Sequence, residues 1–267
     1  MGEVYQTPWE YDAEPFRITD DIWYVGNTSV SAHIIDSGDG LILIDTGYPQ
    51  TAYLLLENIR KCGFDPVDIR WILHTHAHYD HIGATRMLAE KYGCKTFLGE
   101  GDAFILRDRP ELTWHGEYGL PFHEGFVPDV LLKDGDIISL GNTSIACISS
   151  PGHTPGNMTF LWETTWKRRR CSAAISGGYY PNTAASDYMR KYHLSNWRDG
   201  YAYSFKRLKQ IAPDIMLGSH PGFNDTFGKA RRMDGAQNPF IQPGEWIEEL
   251  EKGRLLFEEV CLRDPME

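Results

Sequence analysis

Apolar and polar positions alternate in short bursts through the first part of the chain. Residues 22–25, 30–35 and 41–45 are β-prone runs separated by turn residues such as Gly38-Asp39-Gly40, a pattern that predicts an antiparallel meander. The period then changes. Residues 52–62 carry apolar side chains at helical spacing and end near Gly63, and 67–73 returns to a strand. Beyond it, 83–92 reads as helix, 95–98 as extended and 102–107 as a short helix, followed by a loop over 110–128 rich in Trp, His, Gly and Pro. A second strand-rich stretch follows, with runs at 130–132, 137–140, 144–149, 158–162 and 173–176. Amphipathic helices over 186–210 and 245–260 close the chain, with a strand at 215–218 and a short helix at 226–233 between them. Strand-rich halves that each carry helices predict an α/β architecture of two sheets packed together and covered outside by helices. We read one domain over 1–267, in halves of about 16–128 and 129–244 closed by the helix at 245–260.

Composition narrows the function classes. With 42% hydrophobic and 13% aromatic residues, the 267-residue chain can build a real core, which excludes disordered and disulfide-scaffold readings. Lysine and arginine number 26 against 37 acidic residues, a net charge of −11 that disfavours nucleic acid as a partner. The densest basic run, Lys167-Arg168-Arg169-Arg170, lies between apolar stretches and reads as a solvated hairpin turn. No stretch approaches the roughly 20 apolar residues that a membrane span needs, and the N-terminus has neither a basic nor an apolar signal region. The expected partner is therefore a small-molecule substrate, with no nucleic acid and no membrane. The expected compartment is the cytoplasm, or the periplasm or exterior if a signal has been trimmed. Oligomeric state stays open. Cys62, Cys94, Cys147, Cys171 and Cys261 are odd in number and form no Cys-x-x-Cys pair, so they read as reduced thiols.

The chemistry concentrates in His74-Thr75-His76-Ala77-His78-Tyr79-Asp80-His81, which holds four of the ten histidines. Such a cluster asks for a metal. In an extended segment alternate side chains face one way, so the spacing lets His76, His78 and Asp80 converge while a turn into the next helix brings His81 round. Imidazole and carboxylate suit Zn²⁺ ahead of iron or manganese. Two more histidines stand in glycine- and proline-bounded loops after predicted strands, His153 in Pro151-Gly152-His153-Thr154-Pro155-Gly156 and His220 in Gly218-Ser219-His220-Pro221-Gly222. Rigid loops of that kind aim side chains well. Three imidazoles for one ion, and Asp plus two imidazoles for another, leave open positions of the catalytic type.

These residues resemble the metallo-β-lactamase fold superfamily. Its H-x-H-x-D-H motif is matched by His76, His78, Asp80 and His81, its strand-end D-T-G by Asp45-Thr46-Gly47, and its P-G-H-T-x-G by residues 151–156. The resemblance implies a four-layer αββα sandwich, two mixed β-sheets face to face with helices outside, and a dinuclear metal site at one edge. Within the superfamily the chain is most similar to the third subclass of class B metallo-β-lactamases, on Pro8-Trp9, Pro15-Phe16-Arg17-Ile18, Trp23-Tyr24-Val25-Gly26, Gly218-Ser219-His220-Pro221-Gly222 and Asn238-Pro239-Phe240-Ile241. By that resemblance His76, His78 and His153 hold the first of two Zn²⁺ ions, and Asp80, His81 and His220 hold the second. His74 then falls outside the ligands and is assigned to packing or to hydrogen bonding behind them. Asp80 also serves catalysis by orienting the nucleophile.

The strand at 171–178 separates branches of the family. Glyoxalases, lactonases and metallo-phosphoesterases usually place a bridging aspartate at its end, and here it reads Cys171-Ser172-Ala173-Ala174-Ile175-Ser176-Gly177-Gly178. Ser176 can match the serine by which the third subclass holds substrate carboxylate, although the usual second serine is missing. Cys171 offers the competing reading of a thiolate ligand, the mark of the first subclass. The function expected by resemblance is a β-lactamase in which a zinc-bound hydroxide opens the lactam amide. The alternative is another hydrolase of the same fold, a lactonase or thioesterase. A di-iron redox protein is disfavoured because that branch carries a glutamate where His78 stands, and a purely structural zinc module because it does not need two open ligand sets. His115, Tyr118, Phe122 and His123 lie in the loop that the resemblance expects to wall the site, with an ordinary aromatic surface loop as the alternative and Trp114 read as packing rather than touching substrate. His33 and His193 receive no role.

Overall fold

The computed structural model describes residues 3–120 and 125–265. A short N-terminal helix, α1 (Glu3–Gln6), precedes the meander β1 (Phe16–Arg17), β2 (Ile22–Tyr24), β3 (His33–Asp36) and β4 (Leu41–Ile44), whose neighbours all pair antiparallel. Helix α2 (Ala52–Lys61) then carries the chain across to β5 (Ile69–Leu73). After α3 (Tyr79–Ile82) and α4 (Thr85–Tyr92) come β6 (Lys95–Gly99), α5 (Ala103–Asp108) and β7 (Val130–Leu132). Strands β4 to β7 are parallel, and the seven-stranded sheet runs in chain order. The second sheet contains β8 (Ile137–Leu140), β9 (Thr143–Ser149), β10 (Met158–Trp166) and β11 (Arg169–Ser176), all antiparallel. Helices α6 (Ser186–Lys191) and α7 (Arg198–Leu208) lead to β12 (Ile215–Leu217), parallel to β11, and α8 (Thr226–Arg232) and α9 (Glu245–Arg263) finish the chain.

Two-residue periodicity builds the layers. In β4, Ile42 and Ile44 join the core between the sheets while Leu41 and Leu43 face the helices. In β10 and β11, Phe160, Trp162, Ala173 and Ile175 face the same central core, and Leu161 and Ala174 face outward. Leu55 and Ile59 of α2 and Leu88 of α4 cover the first sheet. Tyr201, Phe205 and Leu208 of α7 with Trp246, Leu250 and Phe257 of α9 cover the second. Burying each such side chain contributes about 1.5–3 kcal/mol. The result is the expected αββα sandwich.

Three local expectations change. The strand at 130–132 reads from sequence as the start of the second half, yet it pairs with Phe97–Gly99 at the edge of the first sheet. The single helix expected over 186–210 is two helices. His193 takes a left-handed φ of 51° that ends α6, and Asn196 accepts a hydrogen bond from the Arg198 amide at the start of α7. The basic run lies partly in strand: Lys167 and Arg168, both with positive φ, form the two-residue turn, and Arg169 and Arg170 belong to β11. All five cysteines are free thiols. No helix among the described residues is long and apolar enough to cross a membrane.

Candidate metal centre

Each histidine-bearing loop leaves the C-terminal end of a strand, where turns free of ladder pairing can aim side chains across the edge of the sandwich. The segment after β5 supplies His76 and His78, the loop after β9 supplies His153, and the loop after β12 supplies His220. His78 is the residue before α3, so helical geometry begins at Tyr79. The alternation expected to align Asp80 with His76 and His78 therefore stops one residue short, and Asp80 turns with His81 toward His220. The candidate ligand atoms of His76, His78 and His153 lie within 4.8 Å of one another, as do those of Asp80, His81 and His220. The rings of His76 and His81, 4.2 Å apart, join the two groups.

Hydrogen bonds behind the rings set their orientation. His81 Nδ1 donates to Asp45 Oδ2 at 2.8 Å, His220 Nδ1 to the Ser29 carbonyl at 2.8 Å, and His153 Nδ1 to the Tyr180 carbonyl at 3.3 Å. With Nδ1 protonated, each Nε2 presents a lone pair, the arrangement usual behind metal ligands. Asp45, at a left-handed φ of 58° just past β4, also accepts from the Thr75 amide and hydroxyl at 2.8 and 2.7 Å. One carboxylate thus braces His81 and the residue leading into His76-Ala77-His78.

The donor set fits a cation. Nε2 of His76 and of His78 are buried with no hydrogen-bond partner. Leaving such groups unsatisfied costs about 1–3 kcal/mol each, which a bound ion would relieve. Burial, then the neighbouring imidazoles, hold His76 and His78 well below the ordinary histidine range. Burial pushes His153 down to about 4. Burial also lowers His220, partly opposed by Asp80. For His81 burial acts in the same sense, but Asp80 and Asp45 outweigh it and the ring sits above its usual value. Neutral imidazole is the form a metal binds.

The ligand atoms open into a cavity of about 80 Å³. Gly177 and Gly178 line it beneath the rings: a Cβ on Gly177 would lie 2.2 Å from Asn157 Oδ1 and 2.8 Å from His76 Nδ1, and one on Gly178 2.8 Å from His153 Cδ2. The walls are Trp114, Tyr118, Tyr180, Asn182 and Phe223. Trp114 stacks on Tyr188 at 4.7 Å and stands 5.5 Å from the His78 ring. Tyr180 stacks on Phe223 at 4.5 Å. A wider groove of about 920 Å³, beside Arg86, Lys95 and Asp129, contains none of the clustered histidines.

Other sequence-singled residues lie elsewhere. Ser176 is buried opposite Thr159 in the β10–β11 ladder, its hydroxyl unpaired, and the cavity wall begins one residue later. Cys171 packs in the core between the sheets, outside both candidate ligand groups. His74 bonds the Phe97 carbonyl and the Thr85 hydroxyl, at 2.8 and 2.7 Å, away from the ligand atoms. His115 bonds the Thr113 hydroxyl at 2.9 Å. Phe122 and His123 fall outside the described residues. Tyr180, Asn182 and Phe223 were not anticipated, although Tyr179-Tyr180-Pro181-Asn182 directly after a strand end and Phe223 three residues after His220 were readable signals.

Comparison with known proteins agrees with this architecture. The Metallo-beta-lactamase superfamily profile matches residues 25–164. The solved structure of BJP-1, a subclass B3 metallo-beta-lactamase of Bradyrhizobium japonicum, superposes with a TM-score of 0.87 at 29% identity, covering 97% of this chain and 98% of that one. Hydroxyacylglutathione hydrolase GloC of Haemophilus influenzae is 32% identical over 210 residues, 78% of this chain and 90% of GloC. The uncharacterized protein YobT of Bacillus subtilis is 30% identical over 165 residues, and the match spans 59% of this chain and 63% of YobT. The chain belongs to the metallo-β-lactamase superfamily of metallo-hydrolases, and its structural likeness within that superfamily runs to the third subclass of class B.

Proposed function

We propose that this protein is a di-zinc hydrolase that opens the amide of a β-lactam ring. His76, His78 and His153 would hold one ion and Asp80, His81 and His220 the other. When bound, the ions would supply Lewis acidity, making water nucleophilic near neutral pH and stabilising negative charge on the acyl oxygen and the leaving nitrogen. The observation that carries the reading is the composition of the donor set: five imidazoles and one carboxylate, with Gly177-Gly178 at the cavity wall after β11, where an acidic residue would add negative charge. A set with so little negative charge leaves the site strongly electrophilic, which suits a strained amide whose nitrogen departs as an anion.

The chain's own groups have definite tasks in this scheme. The Asp80 carboxylate accepts a hydrogen bond from the attacking water and so orients it. Asp45 keeps the His81 ring turned and its Nδ1 protonated. Trp114, Tyr180 and Phe223 exclude bulk water, which strengthens every electrostatic interaction inside. Tyr118 stays a phenol at neutral pH, because the Asp80 charge and then burial raise it, and with Asn182 it offers neutral donors to substrate oxygen.

Thioester hydrolysis is the second reading, favoured by the similarity to GloC. Against it, no lysine or arginine is among the described residues lining the cavity, and a glutathione conjugate brings two carboxylates to be desolvated where a cephalosporin or carbapenem nucleus brings one. Hydrolysis of a chromogenic cephalosporin and a carbapenem by zinc-loaded protein, beside a lactone and a glutathione thioester, tests the choice. Turnover of both lactams, lost on chelation and in His81→Ala, is the expected result; turnover of the thioester or lactone alone would overturn it.

A further inference from the structure

Asp102 has no counterpart in the ligand motifs, and its surroundings are unusual for a surface turn. It is the residue before α5, a position where a carboxylate ordinarily bonds the first amides of its own helix. It makes no such bond. The side chain is instead fully buried and reaches two other loops. It accepts from the Ala77 amide at 2.8 Å, between His76 and His78. It accepts from the Thr154 hydroxyl at 2.7 Å and the Gly156 amide at 2.6 Å, on either side of Pro155 in the His153 loop. The backbones meet without side chains between them. A Cβ on Gly99 would lie 2.0 Å from the Gly156 carbonyl oxygen, one on Gly101 2.7 Å from that of Pro155, and one on Gly156 2.2 Å from the Asp102 nitrogen. A buried carboxylate is expensive unless every donor around it is engaged, and here a hydroxyl and two amides are.

We propose that Asp102 is a positioning residue for the three-histidine group, tying the loops that carry His76, His78 and His153 into one rigid unit that presents three lone pairs to a single ion. This rests on the reading that the group holds an ion. The hydrogen bonds of Asp102 go to Ala77, Thr154 and Gly156 and none to Asp80, His81 or His220, so its effect is expected to fall on one of the two ions. Asparagine in its place puts an amide N–H against donors, leaving at least one of them unpaired and freeing the loops to separate.

The experiment is a titration of metal-free full-length protein with Zn²⁺ against a chromophoric chelator, with native mass spectrometry counting ions and Co²⁺ absorption reporting the ligand field. Wild type is expected to take two ions. Asp102→Asn is expected to bind one with unchanged affinity and the other about 10-fold or more weakly, with altered Co²⁺ bands. Equal weakening of both ions, or a titration like that of wild type, overturns the proposal. Absence of ions in wild type overturns the underlying reading instead. If circular dichroism shows Asp102→Asn unfolded, Thr154→Val decides. It removes one hydroxyl from the same carboxylate and is expected to weaken the same single ion severalfold; a wild-type titration for it overturns the proposal.

Discussion

The two candidate ligand groups share an edge of the sandwich but differ in what they do without a cation. His76, His78 and His153 face one another with no carboxylate among them, and two of their Nε2 atoms have no partner. In the other group Asp80 Oδ2 lies 3.5 Å from Nε2 of both His81 and His220, whose Nε2 atoms are 3.3 Å apart. There Asp80 faces both rings, and together with Asp45 it holds His81 above its usual value against the effect of burial. The first group is a frustrated cluster of neutral bases completed only by a cation, while the second is a self-contained hydrogen-bonded network. The difference teaches that burial without countercharge specifies a metal more strongly than does the number of ligands.

Acid sharpens the comparison most. His33 and His74, both fully buried, titrate near 4 because burial disfavours their charged form. Against about 6.5 in the unfolded chain, the unfolded state takes up protons first as pH falls, so stability is lost between about 6.5 and 4. At pH 5 each costs about 2 kcal/mol relative to pH 7.5. The lowered His76, His78 and His153 act in the same direction. Asp102, raised by burial to about 6, works oppositely and gives back about 1 kcal/mol as pH falls through that value. Urea unfolding of metal-free protein at the two pH values reads the net loss; zinc-loaded protein is expected to start more stable and to lose at least as much, because a bound cation keeps the ligand histidines unprotonated in the folded state.

His78→Ala comes next. It should weaken the ion of the three-histidine group by more than about 100-fold, beyond the loss typical of a residue that only supports a ligand. The metal-free protein should meanwhile resist acid better, measured by chelator competition and urea titration. Asp45→Asn is expected to weaken the other ion by about 10- to 100-fold through His81, and the three-histidine ion less, through Thr75; a larger loss at the three-histidine ion would break the distinction. A pair of small changes completes the series. Gly177→Ala forces Asn157 or His76 to move and should destabilise by about 1–3 kcal/mol, read by thermal unfolding. Gly222→Ala, with nothing within 4 Å of the added methyl, should change neither stability nor metal content.

What was legible in the sequence was local. His76, His78, Asp80 and His81 announce themselves by their short spacing after a strand, and Asp45 by standing at the end of another strand in Asp45-Thr46-Gly47. His153 and His220 were readable because glycine and proline fence them into rigid loops. Asp102 was not, since it is one of 37 acidic side chains and only the packing of distant loops distinguishes it from a helix cap. Val130–Leu132 shows the same limit: an apolar run signals a strand but not which sheet edge accepts it. One helix was expected over 186–210 because its apolar stripe runs on through the break, which is made by the left-handed His193 and the Asn196 cap. Ser176 was one residue from the cavity wall, and in a strand one residue reverses the facing.

Both ligand groups draw on both halves of the sandwich, joining the end of β5 to the loops after β9 and β12. An ion in either would act as a reversible crosslink across a long stretch of chain, the ionic counterpart of the disulfides that the five free thiols do not form. Its strength is set outside the molecule, by how much free metal the surroundings hold. Metal scarcity would therefore thin this protein twice, first by silencing it and then by exposing the loosened chain to proteases.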